Sequence, residues 1–326
     1  MEQQVLCRFC KGSNTSEQYS AVDIFDDKWF VYHCNTCRAF FLAPFPSAMQ
    51  LKKAYDASYY GAGEHKFIFS VEQFIDFFRR RKARKIASVI PCLAGRQAEN
   101  AKVLDIGCGN GKFLKHLSAL GNYELHGTEL EGGSAERASL VKEIKLRIGY
   151  LNKDDFPQDY FHAVTLFHVF EHLEEPKKTL EIIHGILKKN GILLMSFPNI
   201  SGWQAKIFKG RWYHLDPPRH LVFFAPDDLT KIMNDMGFTL IRKKYFSFEQ
   251  NPYGWVQSSL NSLCRKREFL YERLKGNKKY ADEKGFFSYF IHVSFFIFSF
   301  PFFAFFNLIE SVFSKGATVR MEFKKE

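Results

Sequence analysis

Several absences narrow the reading of this 326-residue chain. Its first residues, Met1-Glu2-Gln3-Gln4, lead into cysteine-rich sequence, not into an apolar run. No secretory leader is expected there, so a cytosolic, reducing setting follows as the default. No internal repeat is evident, and no low-complexity tract apart from one rich in phenylalanine. Acidic residues are in deficit: 35 Asp and Glu against 46 Lys and Arg leave a formal charge of +11. Such an excess suggests an anionic partner (acidic lipid, nucleic acid or a phosphorylated substrate) without choosing among them. No Asp, Glu, Lys or Arg stands between Phe286 and Phe306. By length, a charge-free run of that kind could span a bilayer.

What is present begins with cysteine. Four of the seven cysteines form two pairs, Cys7-x-x-Cys10 and Cys34-x-x-Cys37. Two such knuckles bring four thiolates onto one tetrahedral Zn²⁺; unrelated free thiols or a redox pair are the alternatives. Between them, Lys28 to His33 reads as a strand leading into the second pair. Many ribbons of this kind carry glycine just after each knuckle, where this chain has Lys11 and Arg38. No ligand position is left open, so the metal is expected to be structural. Cys92, Cys108 and Cys264 have no partner at ligand spacing and read as core or incidental thiols.

The most informative stretch is Val103-Leu104-Asp105-Ile106-Gly107-Cys108-Gly109-Asn110-Gly111-Lys112-Phe113-Leu114. A short apolar run ends in an acid, three glycines alternate, and a helical pattern begins. The glycines let the backbone pass close to a bound cofactor, where a Cβ would collide. No Lys-Ser/Thr follows them, which argues against a P-loop.

Upstream, Phe40 to Gly63 reads as a linker packed on the main domain. Phe67 to Leu93 reads as a helix with a basic face of Arg79, Arg80, Arg81, Lys82, Arg84 and Lys85. That face is expected to be solvated in preference to binding an anion. Downstream, strands are predicted at 102–106, 123–129, 145–148, 162–168 and 191–197. Helices are predicted near 111–120, 134–142, 177–188 and 226–236. This alternation implies a doubly wound, mostly parallel α/β sheet with ligands at the carboxyl ends of its strands. The second strand ends in Glu129, a carboxylate placed to accept both hydroxyls of a ribose. Asp154-Asp155-Phe156-Pro157 precedes the fourth strand, where backbone and carboxylate could hold an adenine edge. The fourth strand runs into His168-Val169-Phe170-Glu171-His172-Leu173.

Over roughly 100–250 this set resembles the class I S-adenosylmethionine (SAM)-dependent methyltransferases. Within them it resembles the ubiquinone-biosynthesis O-methyltransferase-like group, including members in sugar and polysaccharide modification. Their Leu-Asp-x-Gly-Cys-Gly-x-Gly turn, His-x-x-Glu-His segment and Pro-Arg-His-Leu segment have counterparts here, the last as Asp216-Pro217-Pro218-Arg219-His220-Leu221. The resemblance implies a Rossmann-like seven-stranded sheet and SAM as cofactor. It implies that Gly107, Gly109 and Gly111 wrap the SAM amino acid and ribose, with Asp105 nearby. Glu129 would bind the ribose hydroxyls, Asp155 and Phe156 the adenine, and His168 would line the pocket. A zinc ribbon before such a domain also occurs in the family, notably in deoxysugar methyltransferases. Some quinone O-methyltransferases carry Glu-x-x-Glu-His and bind Mg²⁺ there. Here His168 takes the first Glu position, so a metal at His168, Glu171 and His172 stands as the alternative to a pocket-lining role.

Methyl transfer is an in-line displacement on a sulfonium, so the protein mainly positions donor and acceptor. A hydroxyl acceptor also needs a general base, for which His172 and His220 are the candidates and His214 the third. Trp212, Tyr213, His214 and Arg219, with Trp203 beside them, are expected to frame the acceptor.

The resulting plan has a zinc ribbon over 1–45, a linker and helices over 46–98, the SAM-binding core over 99–250, a basic and Phe-rich insertion over 251–315 and the last strand over 316–326. Strands at 238–248 and 316–323 should pair antiparallel at one sheet edge. A single span between them would put them on opposite sides of a membrane. Pro301 therefore suggests two short helices forming a hairpin. Basic flanks (Arg265, Lys266, Arg267, Arg273, Lys275, Lys278, Lys279 and Lys284) suit docking on anionic lipid. A helical pair packed on the enzyme or in a dimer interface is the alternative. The expected protein is a cytoplasmic, peripheral or monotopic methyltransferase acting on a lipid-linked glycan, a nucleotide sugar or a polyprenyl aromatic. An RNA methyltransferase and a non-catalytic SAM-binding module are the other readings. Nucleic acid is disfavoured, since RNA binding gives no reason for a long apolar segment.

Overall fold

The computed structural model of the chain describes residues 4–55, 69–94, 100–275 and 286–326. Linker residues 56–63 and the basic flank residues Lys278, Lys279 and Lys284 lie outside them, as does the Cys92 side chain. The larger sheet is built from β4 (Ala101–Ile106), β5 (Tyr123–Glu129), β6 (Ile144–Ile148), β7 (Phe161–Phe167), β8 (Leu187–Pro198), β10 (Phe238–Lys244) and β11 (Thr318–Lys325). Its order is β10-β11-β8-β7-β4-β5-β6. Strands β4 to β8 pair in parallel, and β11 runs antiparallel between β8 and β10. Every strand expected from the sequence is present within a few residues.

The central strands are buried on both faces, as a parallel sheet clad by helices requires. Those helices are α2 (Phe69–Ala94), α3 (Lys112–Ser118), α4 (Gly133–Ser139), α5 (Pro176–Ile186) and α7 (Pro226–Asp235), with α1 (Ala48–Ala54) and α6 (Trp203–Phe208) at the sheet's carboxyl end. Strand β10 stops at Lys244, short of the expected 248. Asn251 Nδ2 donates to the Tyr245 carbonyl (2.8 Å) in place of a ladder partner, and Phe248 packs against Phe74 and Phe300.

The N-terminal ribbon forms a second sheet from β1 (Thr15–Val22), β2 (Lys28–Cys34) and β3 (Phe40–Ala43). Its fourth strand, β9 (Val222–Phe223), comes from the main domain, with Phe40 opposite Phe223 and Phe41 opposite Val222. Cys7, Cys34 and Phe41 share one apolar core with Phe170, Phe197 and Phe224. The ribbon is thus fused to the larger domain through both backbone and core.

Between β10 and β11 lie α8 (Asn251–Leu263), α9 (Phe269–Leu274) and α10 (Phe286–Val312). The Phe-rich run is one helix, not the expected hairpin of two, and Pro301 sits inside it. At 1.5 Å per residue it is about 40 Å long. Helix α8 splints it on both sides of the proline. Tyr253 meets Phe296 at 6.2 Å, and Trp255 stacks on Phe303 at 5.5 Å. Buried polar contacts fix the far end, where Asn251 donates to Asn307 (2.9 Å) and Trp255 Nε1 donates to Glu310 (2.9 Å). Packing therefore supplies what the missing proline N–H removes, and the ring itself faces outward.

The opposite face of α10 is bare. Phe298 is 82 % exposed, and Phe287, Phe302, Phe305 and Val312 are exposed with it at helical spacing. By length and composition the helix Phe287–Val312 is able to cross a membrane.

Candidate active site

The glycine turn follows β4 as expected, and its three glycines do different work. All have positive φ (67°, 59° and 72°). A Cβ on Gly107 would sit 2.5 Å from Val169. One on Gly111, which precedes α3, would sit 2.9 Å from Ile144 and press on α4, so that glycine serves packing. A Cβ on Gly109 would meet nothing within 4 Å; it would project into a cavity of about 930 Å³ at the carboxyl ends of the strands.

Glu129 closes the same corner. Its Oε2 accepts from Gly109 N (2.5 Å) and its Oε1 from Leu130 N (3.1 Å). Burial pushes this carboxyl upward, and the two N–H donors oppose the shift. Asp105, fully buried beneath the turn, accepts from Thr165 Oγ1 (2.6 Å). Burial pushes its carboxyl up to about 7.

Asp105, Gly107, Gly109, Glu129 and His168 all line the cavity, as do His172, Tyr213, His214, Arg219 and His220. Gly111, Asp155, Phe156 and Trp212 do not. Asp155 accepts from Asn152 N (2.7 Å) and pairs with Arg147, while Phe156 packs on His126 and Phe161. Tyr150 and Leu151, just after β6, stand at the wall instead. Trp212 is sealed in the core between ribbon and domain, and Trp203 packs against Phe306 and Phe313 of α10.

Other lining residues were not expected at the site. Arg79 and Lys82 leave the expected solvated face of α2 and reach the cavity, paired with Glu72 (2.7 Å) and Glu249 (2.9 Å). Glu72, seven residues before Arg79 on the same helical stripe, was the available signal. The insertion adds Tyr253, Tyr271, Phe296 and Phe300.

Two histidines stand together on the cavity wall. The rings of His172 and His220 lie 4.5 Å apart in an edge-to-face arrangement. His220 Nδ1 contacts the His214 carbonyl (2.8 Å), and His172 Nδ1 contacts the Arg219 carbonyl (3.0 Å) and the Tyr55 hydroxyl (2.9 Å). A carbonyl only accepts, so each Nδ1 carries a proton, and in the neutral ring Nε2 keeps a lone pair. Burial and the neighbouring His220 push His172 down to about 4, so this ring is neutral near pH 7. Burial pushes His214 down to about 3. His220 Nε2 has Asp216 Oδ2 at 3.8 Å. Arg219 turns its guanidinium onto Asp216 (Nε to Oδ2, 2.9 Å) and onto the Ala54 carbonyl (3.2 Å), so it braces this loop.

Glu171 lies beneath the pair, with both oxygens buried and, among the described residues, no hydrogen bond, only His168 Nδ1 nearby. Ligand atoms of Glu171, His172 and His220 come within 4.8 Å of one another, a set able to hold a cation. His220 thus joins this set where the sequence pointed to His168, whose Nδ1 lies 3.3 Å from Glu171.

In the ribbon, the Sγ atoms of Cys7 and Cys37 are 3.5 Å apart and those of Cys10 and Cys34 are 3.6 Å apart. All four converge within 4.8 Å. Four thiolates at the usual Zn–S distance stand about 3.8 Å apart, so the donor set suits zinc. Lys11 and Arg38 adopt φ of 61° and 65°, the conformation a glycine would supply, and their N–H groups bond back to Cys7 (3.0 Å) and Cys34 (2.9 Å).

Residues 77–243, about half of the chain, match a family described as a methyltransferase domain. A curated "Ubiquinone biosynthesis O-methyltransferase" from Dinoroseobacter shibae is 27% identical over 170 residues, covering 48% of this chain and 67% of its own. A mitochondrial protein of the same name from Candida albicans is 32% identical over 186 residues, covering 53% of this chain and 50% of its own. Among solved structures, a putative sarcosine dimethylglycine methyltransferase from Galdieria sulphuraria aligns over 85% of this chain and 97% of its own, at 13% identity and a TM-score of 0.48. With the glycine turn, the acid at the end of β5 and the strand order in place, the chain belongs to the class I SAM-dependent methyltransferases.

Proposed function

We propose that this methyltransferase acts on an oxygen of a membrane-borne acceptor, with His220 as general base. The observation that carries the reading is the paired histidines facing the same cavity as the glycine turn. SAM suits that turn: Gly109 leaves open space, and the Glu129 oxygens retain lone pairs for ribose hydroxyls. When bound, SAM supplies the electrophilic methyl group. The chain supplies position and a proton acceptor. His220 Nε2 takes the acceptor's proton, and Asp216 stabilises the imidazolium that forms. His172, held neutral by burial, packs edge-on against that ring and fixes its plane. Zinc in the Cys7, Cys10, Cys34 and Cys37 cluster would hold the ribbon and has no part in the chemistry.

The test uses radiolabelled SAM and a membrane lipid extract as acceptor source. His220→Ala should lower turnover by about 10²–10⁴-fold while SAM affinity stays within a small factor. Near wild-type turnover would leave His220 a positioning residue. A second reading rests on the buried Glu171 carboxylate, whose nearby partner His168 leaves it without a well-formed hydrogen bond. There Glu171, His172 and His220 would hold a divalent cation that polarises the acceptor hydroxyl. Turnover lost to a chelator and restored by Mg²⁺ would favour it over the free base.

The membrane part rests on α10. Its exposed phenylalanines give an apolar stripe with no charge between Phe286 and Phe306. The basic flanks contribute less than their composition suggests, because Arg267 donates to the Gly210 and Trp212 carbonyls and Lys275 is buried against Glu272. Binding to vesicles should therefore weaken with salt by less than all eight flank residues together would give. Replacing Phe298, Phe302 and Phe305 with Asp should lower vesicle partitioning by at least about 100-fold, since each buried Phe is worth about 1.5–3 kcal/mol. Flotation unchanged by the triple substitution would return α10 to a protein-packing role.

A further inference from the structure

Helix α10 shows one face to solvent and the other to the catalytic cavity. Phe296 and Phe300 line that cavity, while Phe298 between them is 82 % exposed on the far side. From Phe300 a chain of ring contacts runs in both directions. Outward, Phe300 meets Phe248 at 5.8 Å and Phe248 meets Phe74 at 6.2 Å. Phe74 is 40 % exposed on α2, beside Phe77 at 51 %. Inward, Phe300 meets Phe296 at 5.2 Å, Phe296 meets Tyr253 at 6.2 Å, and Tyr253 meets Tyr213 at 5.4 Å. Tyr213 adjoins His214, whose carbonyl anchors His220. The rings thus form an apolar track from the outer surface of α2 to the catalytic histidines.

We infer that this track holds the apolar chain of the acceptor, which places the substrate among chain-bearing amphiphiles drawn from a lipid surface and excludes water-soluble nucleotide sugars. This rests on the membrane-borne acceptor proposed above and narrows it. The occupant has to be the acceptor, because the track ends at the proposed base. It has to be apolar over several carbons, because the successive surfaces it meets are Phe74, Phe248, Phe300 and Phe296. At its inner end the track reaches Tyr253 and Tyr213 and then the histidines, so the reacting hydroxyl belongs to a head group beside Tyr213 and His220. The outer end reaches α2, where Phe74 lines the cavity and is 40 % exposed, with Phe77 beside it at 51 %.

The experiment uses the full-length protein and dansyl-undecanoic acid, a fluorescent chain amphiphile, below its aggregation threshold. Primary alcohols of eight to twelve carbons should displace it, each added methylene tightening binding by about fourfold. A uridine diphosphate sugar should not displace it. Phe300→Asp should weaken probe binding at least about tenfold with SAM affinity unchanged. Phe298→Asp, on the opposite face, should leave probe binding intact and reduce vesicle flotation. Displacement independent of chain length overturns the inference, as does wild-type probe affinity in a folded Phe300→Asp protein. If that variant does not fold, the chain-length series on the wild type decides alone. A chain-length dependence in a protein that ignores vesicles supports the track and sinks the membrane reading, so the two fail separately.

Discussion

Gly109→Val should abolish measurable SAM binding while leaving the protein folded. Nothing lies within 4 Å of where its Cβ would stand, so the new side chain meets cofactor space and no protein neighbour. The same turn supplies its own control. Gly111→Val would drive atoms into Ile144, Val141 and the backbone of Ala138, so it should damage the fold first and binding only as a consequence. A β-branched residue at φ 59° adds strain of about 1–3 kcal/mol, which Gly109→Asn largely avoids because Asn tolerates that conformation. Calorimetry should therefore show Gly109→Asn retaining weakened binding and Gly109→Val losing more than about 100-fold. Glu129→Ala should cost about 1.5–3 kcal/mol of affinity, the usual worth of hydrogen bonds to a charged group. It also releases Gly109 N, whose bond to Glu129 shapes the turn. Unchanged affinity in Gly109→Val would remove the cofactor assignment for this corner.

The parts of this site that were legible in the sequence are those written in local periodicity. Strand β4, the glycines and Glu129 follow one another within a single strand-turn-helix-strand unit, where chain order dictates spatial order. Residues brought in from a distance were legible only where a motif carried them, as with His172 and His220, and not otherwise. Strand β9 is two residues long and becomes a strand only because β3, about 180 residues earlier, pairs with it. Trp212 and Tyr213 are neighbours of similar character, yet one is core and the other faces the cavity; only the turn Tyr213–Leu215 separates their directions. Pro301 carries the rule that proline breaks helices, and Trp255 and Tyr253 on α8 override it by packing on both sides. The basic stripe of α2 divides: Arg80 pairs with Asp76 at the surface, while Arg79 and Lys82 turn to the cavity.

Removing zinc should silence the enzyme through the acceptor side, with the cofactor side affected less. Cys34→Ser with Cys37→Ser deletes half the donor set; elemental analysis should find one zinc per chain in the parent protein and none in the variant. Structural zinc contributes about 10–16 kcal/mol to the folding of small isolated modules, so the ribbon is not expected to hold its shape without it. The loss would travel along identifiable bonds. Strand β3 is the ribbon's edge, and Leu42 N donates to the Leu221 carbonyl (3.0 Å). Leu221 N donates in turn to the Glu171 carbonyl (2.7 Å), next to His172, and Leu221 directly follows His220. Loosening β3 therefore frees the loop that sets His220 against His172. The glycine turn sits on the β4 and β5 strand ends and makes none of these contacts. Turnover should fall by at least about 100-fold, the order expected when a general base is displaced, while SAM affinity drops by far less. Full zinc occupancy in the double variant would place the ligands elsewhere. A zinc-free protein with normal turnover would mean that β9 holds its position without the ribbon and that the shared sheet does not carry the coupling.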